Sequence, residues 1–169
     1  MAVYKFFING PLGSGKTEAI KAVSDLPLIS ALKKVALTQH EVSLDYGRVH
    51  VDSDMCYLYA PADGWLNGDD WAGLCREMDG LMFVVDGSAD DLGPAYELFD
   101  HLLTDWDGPT IVAVNDIARS EQSDESYTQL VAKLGAVHAI FPFNALVRTS
   151  VLALVRAIVA AYHEHQGHL

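Results

Sequence analysis

The segment Gly10-Pro11-Leu12-Gly13-Ser14-Gly15-Lys16-Thr17 fills every position of the pattern G-x-x-x-x-G-K-[ST], and few eight-residue stretches constrain a fold so far. The residues before it, Val3-Tyr4-Lys5-Phe6-Phe7-Ile8-Asn9, read as a buried strand, and Glu18-Ala19-Ile20-Lys21-Ala22-Val23 reads as the first turns of a helix, so the pattern sits at a strand-loop-helix joint. Glycines at 10, 13 and 15 let the backbone turn its N–H groups inward around an anion, at φ values that a Cβ resists. The free N–H groups and positive dipole end of the following helix add to that nest. In such a loop Lys16 reaches the β- and γ-phosphates of a nucleotide and the Thr17 hydroxyl ligates Mg²⁺. These two residues are the candidates for catalysis, and Gly10 to Thr17 as a whole for nucleotide binding.

Composition narrows the company such a site can keep. Half of the 169 residues are apolar and no repeat, linker or low-complexity tract divides them, which predicts a single domain over 1–169 with a substantial core. The formal net charge of −12, with eleven basic residues, argues against sequence-independent binding of nucleic acid or anionic lipid. No run of eighteen apolar residues predicts membrane insertion. A soluble, cytoplasmic protein with a protein partner is the expectation. Cys56 and Cys75 fit free buried thiols of a reducing compartment. His163, His165 and His168, in a polar tail, read as a solvated helix end more readily than as a metal site.

Along the chain, residues 24–39 lack a clean period, are broken by Pro27, and read as partly helical and then loop-like. Antiparallel strands are expected at 41–51 and 55–60, joined through Asp52-Ser53-Asp54. A turn-rich stretch, 61–68, leads into a helix over 69–78. Leu81-Met82-Phe83-Val84-Val85-Asp86 is a continuous apolar run of strand length, as for a strand covered on both faces,. Helices at 92–103, 123–134 and 147–163 then alternate with strands at 109–115 and 136–141. In the last helix Val151, Leu154, Val155, Ile158 and Val159 follow the i, i+3, i+4, i+7 rule,. Such alternation implies a parallel sheet with right-handed crossovers and a ligand at the C-terminal strand ends, where Gly10, Asp86 and Asn115 all fall.

This order of elements over the whole chain resembles a small Ras-like GTPase, and its flavour is similar to the bacterial MglA-like and conservon-type branch. The residues carrying the likeness are Gly10-Pro11, then Ser43-Leu44-Asp45-Tyr46-Gly47-Arg48, then Phe83-Val84-Val85-Asp86 with Ile111-Val112-Ala113-Val114-Asn115. The resemblance implies an α/β, three-layer P-loop NTPase fold, a mostly parallel six-stranded sheet with one antiparallel edge strand. It also implies GTP and GDP as ligands, Mg²⁺ as cofactor, and a Roadblock-type regulator as partner.

Several positions depart from that family's motifs. Leu12 occupies a slot that is often glycine in small GTPases, and the resemblance implies that it projects toward the γ-phosphate, where it meets any arginine supplied by a partner. Glu41 stands where the family has a Mg²⁺-ligating switch threonine, and Thr38 is the nearest hydroxyl, so Thr38 joins Thr17 as a candidate metal ligand. Asp63 and Gly64 fall where the second switch has its glycine and its water-orienting glutamine; a register shift of one places Gly64 and Trp65 there instead. The base-reading motif reads Asn115-Asp116-Ile117-Ala118; Asn115 and Asp116 are candidate nucleotide contacts. Alanine at 118 cannot accept the two hydrogen bonds of guanine, a loss of about 1–3 kcal/mol of discrimination, which leaves guanine against adenine open, with Asp116 or Glu121 able to fill in. In Phe143-Asn144-Ala145-Leu146, Asn144 and Ala145 match the loop whose backbone N–H meets the guanine carbonyl.

Arg48 reads either as an intrinsic arginine finger or as a surface charge, Asp86 as a water-mediated Mg²⁺ contact or a turn cap, and Trp65, Trp71 and Trp106 as a partner surface or as packing. The leading functional expectation is a regulatory guanine-nucleotide-binding protein whose segments 24–41 and 61–72 change shape with the γ-phosphate, with slow or absent hydrolysis. A pseudo-GTPase scaffold is the alternative. An ATP-using P-loop kinase is less favoured because the five arginines are scattered along the chain.

Overall fold

In the computed structural model of the chain, which describes residues 1–62, 66, 68–115, 132, 134 and 139–168, a seven-stranded sheet separates two layers of helix. In chain order the elements are β1 (Val3–Asn9), α1 (Lys16–Val23), β2 (Ile29–Lys34), β3 (Glu41–Val51), β4 (Asp54–Pro61), α2 (Gly68–Cys75), β5 (Gly80–Asp86), α3 (Gly93–Leu103), β6 (Thr110–Asn115), β7 (Ala139–Phe143) and α4 (Arg148–Gly167). The strand order is β2-β3-β4-β1-β5-β6-β7. Strands β4, β1, β5, β6 and β7 pair in parallel, and β3 runs antiparallel to both its neighbours. The helix expected at 123–134 lies almost wholly outside the described residues.

The apolar runs are continuous because the sheet is covered on both faces and strand side chains alternate between them. Tyr4, Phe6 and Ile8 of β1, Met82 and Val84 of β5, and Ile111 and Ala113 of β6 pack with Ala19, Ile20 and Val23 of α1 and Val151, Leu154, Val155 and Ile158 of α4. Their strand neighbours Phe7, Leu81, Phe83, Val85, Val112 and Val114 pack on the other face with Trp71 and Leu74 of α2 and Phe99 and Leu102 of α3. Side chains such as Phe6, Phe7 and Phe83, at most 1% exposed, each contribute about 1.5–3 kcal/mol by leaving water. Cys56 belongs to the first cluster and Cys75 to the second. Both thiols are free, with the sheet between them.

Two expectations need correction. The sheet has seven strands rather than six, because Ile29–Lys34, read as helix and loop, forms an edge strand that pairs antiparallel with β3 from Ile29↔Tyr46 to Lys34↔Glu41. Its residues are almost all exposed, so no apolar alternation marked it, and among the described residues it pairs in the sheet with β3 alone. Lys33 and Lys34 are the charges that commonly blunt such an edge. Consequently the antiparallel strand is β3, one place in from the edge. The β3–β4 turn has Asp52 at φ 54°, a left-handed conformation that aspartate tolerates.

Candidate functional site

The loop after β1 is shaped by two close approaches. Gly10 lies so near the Val84 carbonyl of β5 that a Cβ there would collide with backbone, and Gly15, at φ 105°, lies against the Asn115 side-chain amide and the Ala145 methyl. Gly15 caps α1 with no side-chain hydrogen bond, which leaves the first N–H groups of that helix to a ligand. Ser14 is 1% exposed, and its Oγ has no hydrogen-bond partner among the described residues. An orphaned buried hydroxyl in a glycine-shaped loop at a helix N-terminus fits an anion cradle.

Lys16 is folded over this loop. Its Nζ donates to the carbonyls of Gly10 at 2.7 Å and Pro11 at 2.8 Å, and desolvation by burial lowers its pKa to about 8, a shift that nearby Glu18 opposes. Beside it, a cavity of about 190 Å³ opens between the loop and the end of β4, lined by Leu12, Gly13, Gly15, Lys16, Thr17, Glu18, Pro61 and Ala62. Leu12, one of the lining residues, is 89% exposed.

Asn115 joins three segments. Its Nδ2 donates to the Ser14 carbonyl at 3.1 Å, and its Oδ1 accepts from the Ala145 N–H at 3.2 Å. The end of β6 thereby fixes the phosphate loop to the turn before α4, where the Asn144 N–H is held by Ser150 Oγ at 2.8 Å and Asn144 Oδ1 accepts from the Leu146 N–H at 3.0 Å. Gly10 through Thr17, Asn115, Asn144 and Ala145 are thus gathered at one corner. Asp116, with the rest of the base-reading segment, lies outside the described residues, as do Asp63 and Gly64.

Thr38 is not brought to Thr17. It sits in the β2–β3 connection, where its Oγ1 donates to Asp70 Oδ1 at 2.6 Å, and His40 Nδ1 lies 3.2 Å from the same oxygen. The residue that does reach Thr17 is Asp45, whose Oδ2 accepts from Thr17 Oγ1 at 3.2 Å. From Asp45 to the start of β3 at Glu41 is about 13 Å of strand at the usual rise, and Thr38 lies beyond that. Asp45 was legible in principle. It shares a sheet face with Val49 and Val51, where a carboxylate at an inward position of a strand is unusual. Arg48 has the opposite parity on β3 and so faces the layer away from α1, which does not put it at the phosphate corner. Asp86 caps its own turn, its Oδ1 accepting from the Ser88 N–H at 2.9 Å and Ser88 Oγ at 2.7 Å. Trp71 is fully buried and donates to the Leu102 carbonyl at 2.9 Å, which makes it core, and His163 is bound to the Tyr4 hydroxyl at 3.0 Å.

The donor set fits a hard cation, which takes oxygen ligands: the Thr17 hydroxyl and a buried carboxylate share one spot beside the phosphate cradle. No protein-family profile matches the chain, and no curated relative does. Among solved structures it is similar to the G domain of the T. maritima FeoB iron transporter, with a TM-score of 0.65 at 18% identity, covering 95% of this chain and 99% of that one. It is also similar to the cytosolic domain of the same transporter in a GDP form, with a TM-score of 0.66 at 15% identity over 95% of this chain. The chain spans 63% of the length of that cytosolic domain. No described helix is long and apolar enough to cross a membrane. What is shared at such identities is the fold, and by it the chain is a three-layer α/β P-loop domain of G-domain architecture.

Proposed function

We propose that the chain is a regulatory guanine-nucleotide-binding protein that holds the phosphates of GTP and GDP at Gly10–Thr17 and signals through its hairpin and α2. The observation that carries this reading is the cradle itself. Two glycines are wedged where no Cβ fits, a buried hydroxyl lacks a partner among the described residues, and a desolvated lysine waits on loop carbonyls that a phosphate can replace. The fold that supports it is the one in which a neighbour was seen in a GDP form.

In this reading the loop N–H groups orient the β- and γ-phosphates, and Lys16 exchanges its two carbonyl acceptors for phosphate oxygens, which favour its charged form. Mg²⁺, when bound, supplies neutralisation of the phosphate charge. Asn115 keeps the base-side turn and the phosphate loop in one rigid unit. Turnover is slow, since the sequence offers no glutamine at the second switch to orient water, and Leu12 obstructs an arginine from a partner. The two proposed mobile segments meet at Asp70, which binds Thr38 and His40 of one from within the other. Leu32 and Leu37, 68% and 54% exposed, offer that side of the molecule to a protein partner.

The test is titration of the purified chain with fluorescent GTP, GDP and ATP in Mg²⁺, followed by single-turnover phosphate release. Tight binding of both guanine nucleotides with slow release supports the switch. Binding of one form without release points to a scaffold, and a preference for ATP to a kinase. A Lys16→Ala variant that binds as well as the parent would remove the basis of the reading.

A further inference from the structure

We propose that Asp45 is a direct carboxylate ligand of the divalent cation that accompanies the nucleotide, held in position by Ser30 of the edge strand. This rests on the nucleotide reading above and extends it to residues that no phosphate-loop pattern includes. On β3, Asp45 and Gly47 point toward α1: a Cβ on Gly47 would meet Ile20 and Ser24. Thr17 and Ile20 stand at i and i+3 of α1, with Ser24 at its C-cap, one side of the helix facing that strand, and Asp45 meets the first of them.

Asp45 is 6% exposed. Both its oxygens are engaged by neutral hydroxyls, Oδ2 by Thr17 Oγ1 at 3.2 Å and Oδ1 by Ser30 Oγ, its register partner on β2. Among the described residues no lysine, arginine or histidine forms an ion pair with it. A carboxylate buried with two hydroxyl donors and no counter-charge is under-compensated, and the missing partner is a cation.

The spacing has the same sense. An O–H···O bond is usually about 2.7–2.8 Å, so the Thr17–Asp45 contact is long for a hydrogen bond. Adjacent oxygens of an octahedral Mg²⁺ site with bonds of about 2.0–2.1 Å lie about 2.9 Å apart. The pair therefore stands near the separation that a shared small cation requires, and Ser30 occupies the second carboxylate oxygen in the way that ligating carboxylates are themselves hydrogen-bonded. Thr38 is bound to Asp70 instead, so Asp45 supplies the protein oxygen that the hairpin connection does not.

The experiment measures fluorescent GDP affinity of the full chain in excess Mg²⁺ and in EDTA, for the parent, Asp45→Asn and Ser30→Ala, with Mn²⁺ affinity of the GDP complexes read by electron paramagnetic resonance. The parent is expected to gain at least about tenfold in affinity from Mg²⁺, and Asp45→Asn to lose about tenfold of that gain and of Mn²⁺ affinity. In EDTA the variant binds GDP as the parent does or better, since a negative charge near the phosphates is gone. Ser30→Ala, which keeps the carboxylate, loses about tenfold and serves as the test should Asp45→Asn fail to fold. Without nucleotide or metal, Asp45→Asn unfolds at the parent's temperature or higher, whereas a purely structural hydrogen bond predicts a lower one with the Mg²⁺ gain intact. Retention of the full gain by the variant overturns the proposal, and so does a parent whose affinity is the same in both buffers, which leaves nucleotide binding standing. A parent that binds GDP in neither buffer overturns the nucleotide reading and this proposal with it.

Discussion

The phosphate corner and the hairpin corner each fasten a loop to a helix, and they differ in what the backbone contributes. At Gly10–Thr17 the side-chain bonds of Asn115 and Lys16 act on a loop already constrained by backbone conformation and close approach, with Gly15 at φ 105° and Gly10 against the Val84 carbonyl. At the β2–β3 connection the chain is fixed by side chains: Thr38 and His40 on Asp70, Lys33 on Glu77, and Val35, 1% exposed, beside Gly73 of α2. A backbone lock allows one arrangement or none. Side-chain ties can be released one at a time, which suits a segment that must change shape while its neighbour stays rigid.

The largest break is expected at Gly15. Alanine there meets both the left-handed φ and the Asn115 amide, so a stability loss of about 3 kcal/mol and at least a hundredfold loss of nucleotide affinity are expected. Gly13 is the control, since it has φ 78° but open space within 4 Å of a Cβ. Gly13→Ala costs only the conformational term, about 1–2 kcal/mol. Denaturant unfolding of the two variants checks this, and equal losses would show that space at Asn115 is not the constraint.

At the hairpin corner the sharpest probe is Asp70→Ala. Asp70 is 5% exposed and accepts from half-buried Thr38 and exposed His40 at one oxygen, so the variant gives up hydrogen bonds whose donors can turn to water, at about 0.5–1.5 kcal/mol each. Hydrogen exchange across 35–41 should accelerate while GDP affinity stays within about threefold. A loss of affinity comparable to that of Gly15→Ala would mean that the two corners are one unit.

Lys16 gives the phosphate corner a pH signature. Burial holds its pKa at about 8 in the free protein, and a phosphate partner raises it. The bound state therefore holds more protons than the free state above that pH, and affinity falls as pH rises through about 8, by up to tenfold per unit. Below it the lysine is charged in both states and contributes no slope. Titrations between about pH 7 and 9.5 check the break; a flat profile would place the ammonium away from the phosphates.

The same contrast explains what could be read from the residues alone. Local chemistry marked the phosphate loop, and continuous apolar runs marked β5 and β6, because both signals lie within a few neighbouring residues. Asn115 was legible as a strand-end residue of a familiar motif, although its bonds to Ser14 and Ala145 span 101 and 30 positions. Edge strand β2 was not legible, since an exposed strand paired on one side needs no apolar alternation. Thr38 departs from expectation for a related reason: it is the hydroxyl nearest in sequence, but the antiparallel register sets Asp45 opposite Ser30 and leaves Thr38 in the turn of the hairpin, while the packing of α1 on β3 brings Thr17 to Asp45.

The smallest effect is expected at Lys33 and Glu77, and it tests whether the hairpin corner is held by charge or by packing. Their 2.7 Å ion pair joins β2 to the turn after α2, with both side chains about a third exposed. Exposed pairs contribute about 0–1 kcal/mol because water screens them and two long side chains lose rotamer freedom. A double-mutant cycle of Lys33→Ala and Glu77→Ala should give a coupling of about 0.5 kcal/mol or less, fading further in molar salt. Hydrogen exchange across 29–34 should change little in either variant, since Val35 and the ladder to β3 remain. A coupling above about 1 kcal/mol that persists in salt would shift the weight at this corner from the Asp70 contacts to the ion pair, and would make the release of the hairpin sensitive to ionic strength.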